Sequence, residues 1–198
     1  MKYVNQLDYE HIPYPTRTKL TGEKFEKGKS TTVRTSGCGL CSAVMVADRL
    51  LPNTKFGLEE ALSISYESEA NYAVGTSYKR FVPLFAQKLG LEYENARDSE
   101  ALIHCLQTGG ATVILVNGDK NGAVGIFSHV EHYIVAIGIE KDGRIAILDP
   151  AYKEGKFEEE GRRGKVEMKN DVIALTHLQT LEEDTFGRAL PFWLFWRA

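Results

Sequence analysis

Glu131-His132-Tyr133-Ile134-Val135-Ala136-Ile137-Gly138-Ile139, then Lys141-Asp142-Gly143, then Arg144-Ile145-Ala146-Ile147-Leu148-Asp149-Pro150: this stretch decides what kind of fold the chain can have. Two apolar, β-branched runs flank a short polar segment carrying an Asp-Gly pair, which signals an antiparallel hairpin. Toward the C-terminus, residues 151–165 are charged and lack apolar periodicity, so they read as a solvated excursion. The tail Leu190-Pro191-Phe192-Trp193-Leu194-Phe195-Trp196 reads as a last strand packed on the sheet. Toward the N-terminus, Asn117 to Ser128 is a glycine-rich loop and Ala111 to Val116 a short strand.

Further back the spacing turns helical. A helix is predicted over about 99–107, capped by Asp98 or Ser99 and ended by Gly109-Gly110. A strongly periodic one follows the turn Gly75-Thr76-Ser77, with Phe81, Leu84, Phe85 and Leu89 on its apolar face and Gly90 as its stop. Two more are predicted over about 57–67 and 37–51. Residues 1–35, with Pro13 and Pro15, read as an extended arm and a long loop. Helices in the first half and strands in the second indicate an α+β fold, and 198 residues without internal repeat suit a single domain, 1–198.

Composition excludes several classes. The net charge of −3, with no basic run, leaves nucleic-acid binding without an electrostatic footprint. No apolar run approaches the length of a membrane span. The N-terminal residues lack the apolar core of a signal peptide, so the chain reads as intracellular, although a secreted protein trimmed of its leader would look the same. Three cysteines, an odd number, argue against a disulfide framework.

The chemistry centres on Ser36-Gly37-Cys38-Gly39-Leu40-Cys41-Ser42-Ala43-Val44-Met45-Val46-Ala47. Ser36 can cap the helix over 37–51, and the two glycines allow close approach to a ligand. A thiol on the first helical turn meets unpaired N–H groups and the positive end of the helix dipole, which favour the nucleophilic thiolate. The competing readings are a small buried cysteine, a redox pair made by the C-x-x-C of Cys38 and Cys41, and a nucleophile with a histidine partner. A thioredoxin-like pair needs an apolar strand directly before it, whereas residues 26–35 are mostly polar. Structural zinc needs four ligands, and only Cys105 remains as a third thiol.

Of the five histidines, His132 stands out because it opens an apolar strand, where an unpaired imidazole costs free energy. Asp149 ends the second strand as His132 begins the first, so its carboxylate can hold one imidazole nitrogen and leave the other facing a thiol. This makes Cys38, His132 and Asp149 a candidate triad. The plainer alternative is that Asp149-Pro150 only terminates a strand.

On these residues the chain resembles the bacterial C39-like cysteine peptidases, a branch of the papain-like superfamily. The block SGCGLCSAVMVAD is similar to that family's nucleophile helix, with Leu40 in place of proline and Cys41 in place of a small hydroxyl residue. The block GIFSHVEHYIVAIGIEKDGRIAILDP resembles its histidine strand, glycine turn and terminal Asp-Pro, and GTSYKRFVPLFAQKLGLEY resembles the segment between. The resemblance implies a papain-like fold, helical N-terminal half on a C-terminal antiparallel sheet, and a peptide or protein substrate, with no metal or cofactor. It implies Cys38 as nucleophile, His132 as general base and acid and Asp149 as the orienting residue. His129 is a competing base outside the matching strand. Glu131 stands where the family has glycine, and can narrow the cleft or favour basic substrates. Tyr3-Val4-Asn5-Gln6-Leu7-Asp8 with Pro13-Tyr14-Pro15 resembles the family's opening, which implies Gln6 as an oxyanion donor and the loop about 16–31 as an insertion; otherwise Gln6 is an ordinary surface residue. The sequence leaves hydrolysis, acyl transfer by the same triad and a catalytically idle peptide-binding domain all open.

Overall fold

The computed structural model describes residues 1–16, 18–19, 25–26, 31–72, 75–120 and 122–198. A short 3₁₀ turn at Gln6–Asp8 precedes a small ladder, β1 (Thr18–Lys19) and β2 (Phe25–Glu26). Then come α1 (Val33–Ser36), α2 (Cys38–Leu50), α3 (Leu58–Glu67), a second small ladder of β3 (Asn71–Tyr72) and β4 (Gly75–Thr76), α4 (Tyr78–Leu89), β5 (Leu91–Ala96) and α5 (Ser99–Gln107). The second half holds β6 (Ala111–Val116), β7 (His132–Ile139), β8 (Ile145–Leu148), a 3₁₀ turn at Lys156–Glu158, β9 (Val166–Met168), β10 (Ile173–Thr176), α6 (Leu178–Thr185) and β11 (Phe192–Arg197).

The main sheet runs β5-β11-β6-β7-β8-β10-β9, antiparallel at every pairing. One face packs on α2, whose residues from Gly39 to Ala47 are buried without a break. A helix that is apolar all round belongs in an interior, and α2 lies between the sheet and α3. The opposite face carries a second core that includes Leu102 and Cys105 of α5, Leu181 of α6, Phe127 and Phe157. Helices therefore cover both faces of the sheet. Among the described residues no helix is long and apolar enough to cross a membrane.

The predicted helices over 57–67, 99–107 and Ser77–Gly90 form within a residue or two of those limits, and Asp98 caps α5 by accepting from the Ala101 N–H at 2.9 Å. The start of α2 differs from expectation. Residues 33–36 already form a helical turn, Gly37 both ends it and begins α2, and Ser36 makes no cap hydrogen bond. The chain needs glycine at position 37 for space, because a Cβ there would lie 2.5 Å from Val33 Cγ1 and from the Val33 carbonyl oxygen. Residues 1–16 and 31–35 are also more built into the fold than an arm and a loop. Pro13 bridges Thr32 and the Tyr14 N–H donates to the Thr31 carbonyl at 2.7 Å, which closes the segment between them. Most of the expected insertion at about 16–31 lies outside the described residues.

The bareness of Gly39 serves packing rather than a ligand. A Cβ there would meet Thr76 Cβ at 2.9 Å and Tyr78 Cε1 at 3.0 Å. Tyr78 is the hub of this corner: its hydroxyl donates to the Gly39 carbonyl at 2.7 Å, and its ring stacks on Tyr133 with centroids 4.3 Å apart. Replacing Gly39 with alanine should overpack this contact at a cost of about 1–3 kcal/mol, less the roughly 1 kcal/mol that alanine gains over glycine within a helix. A denaturation midpoint lowered by the equivalent of about 0–2 kcal/mol is the expected result; a midpoint above that of the parent chain counts against this packing.

The register of the hairpin places the chemistry. Near the turn Gly138 pairs with Ala146, but beyond a bulge between Ala136 and Gly138 the pairing shifts, so that Val135 faces Leu148. One more residue in that register sets Asp149 across from Ile134, on the same side of the sheet as His132. Without the bulge Asp149 would be across from Val135, on the other side, because a one-residue slip exchanges the faces of a strand. Bulges commonly re-aim a side chain in this way beside a functional site.

Candidate active site

Cys38 is the first residue of α2 and is partly exposed, while Cys41 and Cys105 are buried; all three are free thiols. The sheet brings the start of β7 to the same end of the molecule. His132 is buried, and its Nε2 lies 2.8 Å from Asp149 Oδ1, which leaves Nδ1 for the sulfur. Cys38 and His132 are close enough for each to shift the ionisation of the other. Burial raises the Cys38 thiol, but the His132 hydrogen bond and charge outweigh it, and the backbone N–H groups of Tyr133 and Gly39 add to the lowering; the net direction is down. Burial by itself lowers His132, yet its hydrogen bond and charge contact with Asp149, with Cys38 behind them, raise it to about 9. Burial disfavours the ionised Asp149, but Lys156 and then His132 hold it well below the usual carboxylate range. All three directions favour a thiolate, an imidazolium and a carboxylate in a row.

Gln6 arrives by a separate route. The Gln6 N–H donates to the Pro150 carbonyl at 2.7 Å, Asn5 Nδ2 to the Tyr152 carbonyl at 2.8 Å, and the Tyr3 hydroxyl to the Asp149 carbonyl at 2.7 Å. These bonds stitch the N-terminal segment to the end of the hairpin. Gln6 is only 7% exposed, so it is not an ordinary surface residue. One of its Nε2 hydrogens goes to the Arg34 carbonyl at 2.6 Å, its Oε1 has no protein partner, and the second N–H remains available.

Gln6, Cys38 and His132 line one cleft of about 680 Å³. Asp119, His129, Glu131 and Arg188 contribute to its walls. His129 offers no free nitrogen to Cys38, since Nδ1 contacts Asp119 Oδ1 at 3.0 Å and Nε2 contacts Glu159 Oε2 at 3.2 Å. Glu131 is engaged by Arg188, whose Nη2 donates to Oε1 at 2.9 Å, so its charge is already balanced on the cleft wall. A smaller cavity of about 330 Å³ beside the cleft, lined in part by Lys165, Asp184 and Phe186, touches none of Cys38, His132 or Asp149. Among the described residues no three His, Cys, Asp or Glu side chains gather as a metal site.

One contact escapes the sequence reading. Lys156 Nζ lies 2.5 Å from Asp149 Oδ2, and both side chains are buried. Lys156 falls in the charged segment 151–165, expected to be solvated. The structure differs: Lys156, Phe157 and Arg162 of this segment are buried, and the Arg162 Nε donates to the Gly125 carbonyl at 2.8 Å. Charge composition alone does not separate a solvated lysine from one that finds a buried carboxylate.

No family model matches the chain, and no curated protein matches it. Among solved structures it superposes on the peptidase domain of Streptococcus ComA, a bi-functional ABC transporter involved in a quorum-sensing pathway. The TM-score is 0.51, covering 81% of this chain and 91% of that one at 14% identity. The fold is shared: mixed helix and antiparallel sheet in the papain-like arrangement. At that identity the likeness speaks to architecture alone.

Proposed function

We propose that the chain is a papain-like cysteine peptidase of C39-like type, with a peptide or protein as substrate. The observation that carries this reading is a single arrangement. A partly exposed thiol at a helix start meets an imidazole whose far nitrogen is held by a buried carboxylate, at the floor of a cleft. In this reading the Cys38 thiolate attacks the scissile carbonyl carbon and pushes its electron pair onto oxygen. The Cys38 N–H, one of the first-turn groups without a helical partner, and Gln6 Nε2 donate to that oxygen. As the tetrahedral species collapses, the C–N bond breaks and His132 gives its Nδ1 proton to the leaving amine. The resulting thioester is attacked by water, from which His132 takes a proton; the C–S bond breaks, the acid leaves and the Cys38 thiolate returns. Asp149 keeps the Nε2–H tautomer throughout.

The pH dependence follows from the two shifts. Cleavage of a peptide library, read by mass spectrometry, should rise with pH through the Cys38 ionisation, which lies below the ordinary thiol position. It should then fall as His132 loses its proton at about 9, since the leaving amine needs that proton. Alkylation of Cys38 by iodoacetamide should show the rising limb alone. A thiol that ionises at its unperturbed ~8.5, together with no cleaved peptide, would leave only a binding domain of this fold.

A further inference from the structure

Both carboxylate oxygens of Asp149 are occupied. Oδ1 takes His132 Nε2 at 2.8 Å and the Ala151 N–H at 2.9 Å, and Oδ2 takes Lys156 Nζ at 2.5 Å. The ammonium also donates to the Ala151 carbonyl at 3.2 Å. Its other close neighbour is the Phe157 ring, whose centroid lies 5.9 Å from Nζ. Lysine is almost never fully buried unless paired, because desolvating its charge is costly. Here the side chain is 6% exposed and its only ionic partner among the described residues is Asp149.

The charges along this line alternate. Lys156 is positive, Asp149 negative, the His132 imidazolium positive and the Cys38 thiolate negative, so the four sum to zero. Remove the ammonium and the remaining three sum to one negative charge in a buried site. The cheapest correction is a proton, and the thiolate at the end of the row can take it without breaking the contact between His132 and Asp149. Among the described residues no other neighbour is placed to compensate. Tyr3, Tyr14, Tyr78, Tyr133 and Cys41 all face this region, and burial first of all raises each of them, which keeps them neutral. Asp8, on the 3₁₀ turn of Gln6, acts on Tyr3 and Cys41. On the cleft side Glu131 is paired with Arg188, and His129 with Asp119 and Glu159.

We propose that Lys156 is a positioning residue of the site: through Asp149 its ammonium balances the buried charges so that Cys38 stays ionised and His132 stays oriented. This rests on the peptidase reading, and it adds a fourth member that acts without touching substrate.

The test is the pH profile of Cys38 carboxymethylation by iodoacetamide, followed on the intact chain by mass spectrometry. Lys156→Gln keeps an N–H donor for Asp149 but removes the charge. Losing one positive charge at the far end of this row, at an effective dielectric of about 20, should move the rising limb up by roughly one pH unit. Lys156→Met should do the same, while Lys156→Arg should keep the wild-type profile. The double variant Asp149→Asn with Lys156→Met removes one charge of each sign, and its limb should return toward that of wild type. If neither neutral single variant folds, Asp149→Asn alone and the double variant carry the comparison, with the limb roughly one unit higher in the double variant. A wild-type profile in Lys156→Gln overturns the proposal, as does an equal shift in Lys156→Met and the double variant, which would mark a packing role. A wild-type thiol without any lowered ionisation and without cleavage fails the peptidase reading itself. A lowered ionisation indifferent to Lys156 fails only this proposal.

Discussion

Cys38→Ala is expected to cut peptide cleavage by about 10⁴-fold or more, the scale on which removal of a nucleophile acts when the rest of a site survives. The fold should tolerate the change, because Cys38 is partly exposed at the cleft floor and loses only its sulfur. Chemical labelling gives the same answer by a second route. Cys41 and Cys105 are buried and raised, chiefly by desolvation, so iodoacetamide at neutral pH should modify the wild-type chain once, at Cys38, and the alanine variant not at all. Initial rates on a peptide library, with a thermal melt as control for folding, decide the matter. A folded Cys38→Ala chain that cleaves at the parental rate ends the cysteine-peptidase reading.

Asp149→Ala should damage stability and activity together. The substitution strands the Lys156 ammonium in a buried pocket and leaves His132 without the acceptor for its Nε2–H. Breaking a buried ion pair from one side costs about 3–5 kcal/mol, because the surviving charge has lost its partner. In a chain of this size that corresponds to roughly 10 °C in melting temperature. Activity should fall by about 10⁴-fold as the imidazole loses its tautomer. Asp149→Asn keeps a carbonyl acceptor for His132 and should keep more of the activity, though it strands the same ammonium. Guanidinium unfolding of the two variants beside the parent chain measures the stability part. An Asp149→Ala chain as stable as the parent would show that the buried pair is worth nothing to the fold.

Elements that carry their own punctuation were legible in the sequence. Helix α5 announces itself through Asp98, and α4 through its apolar spacing and Gly90, because caps and helical periodicity are written within a few residues. The strands β6, β7, β8 and β11 are apolar runs that only a sheet interior can use. What escaped lacks such local marks. In β5 the middle residues of Leu-Glu-Tyr-Glu-Asn-Ala are exposed along the sheet edge, so no alternation survives. In β9 and β10 the strands are three and four residues long and follow a charged segment. Helix α6, Leu-Gln-Thr-Leu-Glu-Glu-Asp-Thr, offers Leu181 as its one large buried apolar side chain.

The candidate site divides along the same line. Cys38 was visible from its helix start, and His132 with Asp149 from their places at the two ends of one hairpin. The bulge that puts those two on one face has a single local mark, Gly138 inside an otherwise β-branched run. Lys156 could not be read at all, since its meaning lies in a partner across space rather than in its neighbours along the chain.

The strand order has a consequence in time. Of the strands in the main sheet, β11 is translated last, yet it lies between β5 and β6, which it alone joins. A nascent chain paused before residue 192 holds its sheet in two unconnected pieces and does not yet contain Trp193, whose ring abuts Tyr78. Closure of the corner where Tyr78 meets Gly39 therefore waits for β11 to insert between β5 and β6, after every other strand of this sheet has been made.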